Sequence, residues 1–98
     1  MSFGVYVRPE AETDIEEVAI WYEKQRKGLG QEFLDEVLDF CETIAENPAM
    51  YPVVHRHTRR ALIRRFPFGV YFRIEDEQVI IVAVIHGSRH PRNWRQRT

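Results

Sequence analysis

Lysine is missing from the second half of this sequence. Between residues 51 and 98 ten arginines stand against Glu75, Asp76 and Glu77, a net of +7. Arginine forks onto phosphates and carboxylates and stacks on flat rings, which lysine does not do. The first half is short of cations instead: Arg8, Lys24, Arg26 and Lys27 face twelve carboxylates, a net of −8. The overall charge of −1 therefore hides a strong asymmetry. Such a split fits an acidic or nucleic-acid partner for the second half. It also fits acidic helices that neutralise a basic sheet within one small domain.

Other absences narrow the class further. Cys41 is the one cysteine, so no internal disulfide can form, which suits a reducing cytoplasm. No stretch approaches the roughly 18 apolar residues of a spanning helix, so no membrane partner is expected. Met1-Ser2-Phe3-Gly4-Val5 lacks the basic and apolar regions of a signal peptide, and a cytoplasmic location is expected. Repeats, low-complexity tracts and linkers are absent, so residues 1–98 read as one domain with a modest core. Gly28-Leu29-Gly30 is not followed by the lysine and serine of a phosphate loop, which argues against nucleotide binding. His55 and His57 are expected on one strand face, with His86 and His90 further on. Structural zinc closes with four ligands, often cysteine, and Cys41 is expected alone on a helix. Neither a metal nor any other cofactor is expected.

What is present reads as α+β. Phe3, Val5 and Val7 alternate with Gly4, Tyr6 and Arg8, the period of a strand with one buried face. Pro9 suits a first helical turn, and Glu10 and Glu12 favour its dipole. Ala11, Ile15, Val18, Ala19 and Tyr22 recur at helical spacing and predict a helix over about 9–26. Phe33, Val37, Cys41, Ile44 and Ala45 predict a second over about 30–46, stopped at Asn47-Pro48. The short link makes the two an antiparallel hairpin.

Residues 59–66, 68–75 and 78–86 read as strands, the last apolar on both faces and so central in its sheet. The expected order is β-α-α-β-β-β. The helix hairpin packs on a small antiparallel sheet, and the first strand joins at an edge. Gly87 to Thr98 is expected to be a tail or a short helix.

The ordered set of landmarks is distinctive. Trp21-Tyr22 lies on the first helix, then come Gly28-Leu29-Gly30, Phe33, Asn47-Pro48, Tyr51-Pro52, the arginine strands, Phe66-Pro67-Phe68-Gly69-Val70-Tyr71 and His86-Gly87-Ser88-Arg89-His90-Pro91. This succession resembles the RelE/ParE superfamily of toxins from type II toxin–antitoxin systems across almost the whole chain. The resemblance implies a curved sheet backed by a helix hairpin and a cognate antitoxin that wraps and cancels the toxin. It implies contact with operator DNA only through that antitoxin. RelE-like members are ribosome-dependent ribonucleases that cut mRNA, and ParE-like members poison DNA gyrase. A third possibility is an inactive homologue that serves only operator autoregulation.

Metal-free RNA cleavage needs a base, an acid and cations for the phosphorane charge. Arg60, Arg64, His86 and Arg89 are the candidates. Arg60 and Arg64 are expected to share a strand face, with His86 and Arg89 closing the last strand within reach of it. His86 titrates near neutrality when unperturbed, and Arg89 matches an arginine that the ribonuclease branch carries after its last strand. The sequence departs from that branch at Gly69 and Leu62, where basic residues are usual, and at Arg95, where a tyrosine is common. The ending with Pro91 and Trp94 favours the ParE-like branch.

Overall fold

A computed structural model describes residues 3–87 and 92–97. Strand β1 (Gly4–Val7) leads directly into helix α1 (Pro9–Gln25), and α2 (Leu29–Glu46) follows after a three-residue turn. A 3-10 turn at Pro48–Met50 precedes β2 (Val53–His55), β3 (Thr58–Leu62), β4 (Phe68–Glu75) and β5 (Gln78–His86). A short helix α3 (Arg92–Arg95) completes the described residues. The expected β-α-α-β-β-β order is present, with β2 as an additional short strand.

The helix hairpin is tight for a local reason. Gly28 opens α2 at φ +90°, in the left-handed region that glycine enters without strain. The Glu23 carboxylate of α1 accepts the N–H groups of Gly28 (2.9 Å) and Gly30 (3.0 Å), two donors that the start of α2 would otherwise leave orphaned. Gly30 itself faces Ala19, where the helix backbones approach closely.

The sheet runs β1-β5-β4-β3-β2. β2 to β5 pair antiparallel in sequence, whereas β1 pairs parallel with β5 at the edge. β5 is thus an interior strand, as its apolar character requires, while β4 is the middle one. β3 is shorter than the expected 59–66. It ends at Leu62, and a tight connection follows, with the Ile63 N–H donating to the Phe68 carbonyl and the Phe68 N–H to the Phe66 carbonyl. Arg59 ties β3 to the 3-10 turn by donating to the carbonyls of Ala49 (3.0 Å) and Tyr51 (2.6 Å).

Two apolar layers cover the two sheet faces. Between helices and sheet lie Ala11, Ile15, Phe33, Val37, Ile44, Val70, Phe72, Val79, Ile81 and Val84. Tyr22, Phe33, Phe66 and Phe68 form an aromatic knot there, with centroids 5.0–6.3 Å apart. On the opposite face Tyr71, Ile80, Val82, Ala83, Ile85 and Trp94 form a smaller cluster.

Strand β5 changes parity midway. Tyr71 pairs with Ala83 but Phe72 with Ile81, so Val82 is a bulge residue. An extra residue reverses which face every later side chain meets. Val79 and Ile81 face the helices, Val82 and Ala83 both face away, and Val84 faces the helices again.

Candidate functional site

Arg60 lies opposite Tyr71 in the β3–β4 register, on the sheet face away from the helices. It is exposed. A Cβ at the neighbouring Gly69 would stand 3.5 Å from Arg60 Cγ and Cδ and 3.3 Å from the Tyr71 ring. The aliphatic stem of Arg60 therefore lies beside the glycine at ordinary van der Waals distance, and the Tyr71 ring is its tighter neighbour. Tyr71 is covered in turn by Trp94, stacked at 4.5 Å with planes 24° apart and only 4% exposed. His55 meets Trp94 edge-on at 5.9 Å, and the Arg95 guanidinium lies 5.6 Å from the same ring. Burial, then the charges of Arg95 and Arg56, hold the His55 pKa below its ordinary value. This face thus combines arginine with stacked aromatics.

His86 is elsewhere. It pairs with Phe68 across β4–β5 and its ring meets the Phe68 ring at 5.3 Å, on the helix side. It lines a groove of about 670 Å³ with Asp14, Glu17, Trp21, Tyr22 and Phe68, between α1 and the end of β5. Its expected reach to the face of Arg60 is thereby corrected: the Val82 bulge turns it to the opposite face.

Arg64 does not join the face of Arg60 either. It is exposed in the bend after β3 and shares no strand face with Arg60. Its neighbour Arg65 pairs with Glu32 near the start of α2, and this bond holds the Glu32 pKa below the usual carboxylate range. Arg89 lies outside the described residues. His57 falls in the turn after β2 rather than beside His55 on a strand, and the described residues contain no group of three or more His, Cys, Asp or Glu side chains placed to hold a metal.

The polar group with the widest connections among these residues is Asp14, which no sequence pattern marks. Asp14, on α1, accepts the Val84 N–H (3.0 Å) and binds Arg97 with both oxygens (2.6 and 3.2 Å). Arg97 also donates to the Val82 carbonyl (3.2 Å), and Arg8 donates to the Arg97 carbonyl (2.9 Å). The Asp14 hydrogen bond, more than its charge, raises the pKa of Arg97. A lone aspartate on a helix and an arginine 83 residues later carry no sequence signal of pairing.

Residues 5–91 match the family described as ParE toxin of type II toxin–antitoxin system, parDE. The chain belongs to the ParE toxin family. It is therefore a toxin of the RelE/ParE superfamily. No curated protein sequence is significantly similar to it. Among solved structures, the fold is similar to a chain of a chromosomal ParDE toxin–antitoxin system from P. aeruginosa. That match has a TM-score of 0.78 at 12% identity and covers 87% of this chain and 96% of that one. It is also similar to a chain of the toxin–antitoxin complex RelBE2 from Mycobacterium tuberculosis, with a TM-score of 0.66 at 22% identity, covering 88% and 99%. At such identities the likeness is one of fold. Among its described residues, this chain contains no helix long and apolar enough to cross a membrane.

Proposed function

We propose that this toxin arrests growth in the cytoplasm by a ParE-like action on DNA gyrase. We propose also that residues 1–98 act as one domain and that a cognate antitoxin neutralises it. The observation that carries the choice of target is the separation of Arg60 from His86 by the sheet. Acid–base cleavage of RNA needs its proton-transfer group and its cations on one scissile phosphate, within hydrogen-bond reach. Arg60 faces away from the helices, whereas His86 packs on Phe68 at the helix side. Gly69 adds support, since it carries no side chain where a basic one is usual in the ribonuclease branch. A toxin that works by binding requires no such convergence. A contact surface is available in the arginine–aromatic face, where Arg60 and Arg95 are exposed.

The antitoxin reading is supported by the family and by the toxin–antitoxin origin of both similar folds. Any operator contact is assigned to the antitoxin.

Induction in cells tests the target. A DNA-damage response with translation continuing, together with loss of supercoiling by gyrase mixed with the purified protein, is the expected result. Codon-linked mRNA cuts with intact supercoiling would reassign the chain to the ribonuclease class, with Arg60, Arg64, His86 and Arg89 to be tested again as its catalytic group.

A further inference from the structure

Strand β1 covers only half of β5. Its last registered pair is Val7 with Ile81, after which the Arg8 N–H donates to the Ile81 carbonyl. β5 continues to His86. Over this remainder the ladder groups on the vacated side are met by side chains, not by a strand: the Val84 N–H by Asp14 and the Val82 carbonyl by Arg97. The bulge at Val82 turns both groups toward the same edge.

The C-terminal turn straddles that edge. Trp94 is buried on the face away from the helices, stacked on Tyr71. Three residues later, Arg97 reaches round to α1, and its own N–H donates to the Trp94 carbonyl at 3.0 Å to close the turn. Asp14 and Arg97 are largely shielded, with side chains 15% and 25% exposed. A bidentate carboxylate–guanidinium pair fixes direction as well as position.

Resting on the reading of this chain as an active toxin, we infer that Asp14 is a positioning residue for toxicity. Through Arg97 it clamps the turn from Trp94 to Arg97 onto β5, in a placement from which that turn, with the exposed Arg95, contacts the target. Asp14 itself sits behind the clamp and need not touch the target. Without the carboxylate the turn keeps its charge but loses its direction, so toxicity falls by more than the accompanying loss of stability accounts for.

The test compares Asp14→Asn, Arg97→Gln and the double variant with the parent. Toxicity is read as the inducer dose needed for growth arrest. The clamp is read on purified protein by NMR, from the Trp94 indole resonance, which Tyr71 shifts by its ring current, and from exchange of the Val84 amide. Far-UV circular dichroism checks the fold. Ile44→Val, a mildly destabilising core change, serves as the stability control.

The expected result is a Trp94 resonance that moves toward its unstacked position in both single variants, and a faster Val84 amide in Asp14→Asn. The dose for arrest should rise at least about tenfold in each single variant and no further in the double, the signature of two groups acting as one unit. Ile44→Val should stay toxic. Released Trp94 with undiminished toxicity would overturn the positioning role, as would additive losses or an equal loss in Ile44→Val. An unmoved Trp94 in both single variants would overturn the clamp itself. A parent that fails to arrest growth would overturn the toxin reading and the positioning role with it, while the NMR readout still scores the clamp separately.

Discussion

A Cβ placed on Gly30 would stand 2.5 Å from the carbonyl oxygen of Ala19. The atom it meets is backbone, so no side chain can swing away to admit it. Gly30→Ala should therefore push the two helices apart and cost about 1–3 kcal/mol, the range of overpacked sites. The gain in helix propensity from glycine to alanine, about 1 kcal/mol, offsets only part of this. Equilibrium urea unfolding reads the balance, and a variant as stable as the parent would mean that the hairpin is looser than described.

Phe33 is fully buried and touches Tyr22, Phe66 and Phe68, three rings from α1, the β3–β4 connection and the start of β4. Phe33→Ala removes the centre of that knot and should cost about 3–5 kcal/mol. Against the roughly 5–15 kcal/mol of a typical domain, such a loss should lower the thermal midpoint sharply. A shift of only a degree or two would show that α2 does not depend on this contact.

Cys41 is buried on α2, and its thiol is pushed up to about 11, first by burial and then by the charge of Glu42. The unfolded chain loses this proton near the ordinary value of 9.0 while the folded chain still holds it. The unfolded state thus binds fewer protons in that window, and stability falls as pH rises from 9.0 to about 11. Below 9.0 the thiol contributes no pH dependence. Other groups titrate at high pH, so the measurement is the difference between parent and Cys41→Ala in unfolding free energy. A constant difference across the window would contradict the burial account. Near neutral pH the folded thiol should resist aromatic disulfide reagents and react only on unfolding.

Amide exchange should rank the strands by their neighbours. Val79 to Ile81 have β1 on one side and β4 on the other, and should open only with broad unfolding. β2 pairs with β3 alone through two registered pairs, and its amides should exchange first. Equal protection of β2 and β5 would contradict the sheet order.

Much of this architecture is legible locally. The spacing from Ala11 to Tyr22 and from Phe33 to Ala45 marks both helices to within a residue or two, because helical periodicity and burial report the same face. The runs 68–75 and 78–86 coincide with β4 and β5. β2, three residues long, carries too little pattern to announce itself. The early end of β3 follows from a connection whose hydrogen bonds run between Ile63, Phe66 and Phe68, and RRALIRRF gives no sign of it.

The candidate site was less legible, for a geometric reason. Alternation assigns faces only while a strand keeps its register, and the unpaired Val82 breaks that register in the middle of β5. His86 therefore meets Phe68 on the helix side rather than the face of Arg60. Composition and periodicity are properties of neighbours in the chain, and they suffice for the helices, the long strands and the charge split between halves. Whether two distant polar groups meet depends on where packed elements stop. β1 ends at Val7, leaving β5 with ladder groups to satisfy, and the fold brings Asp14 and Arg97 from opposite ends of the chain to satisfy them.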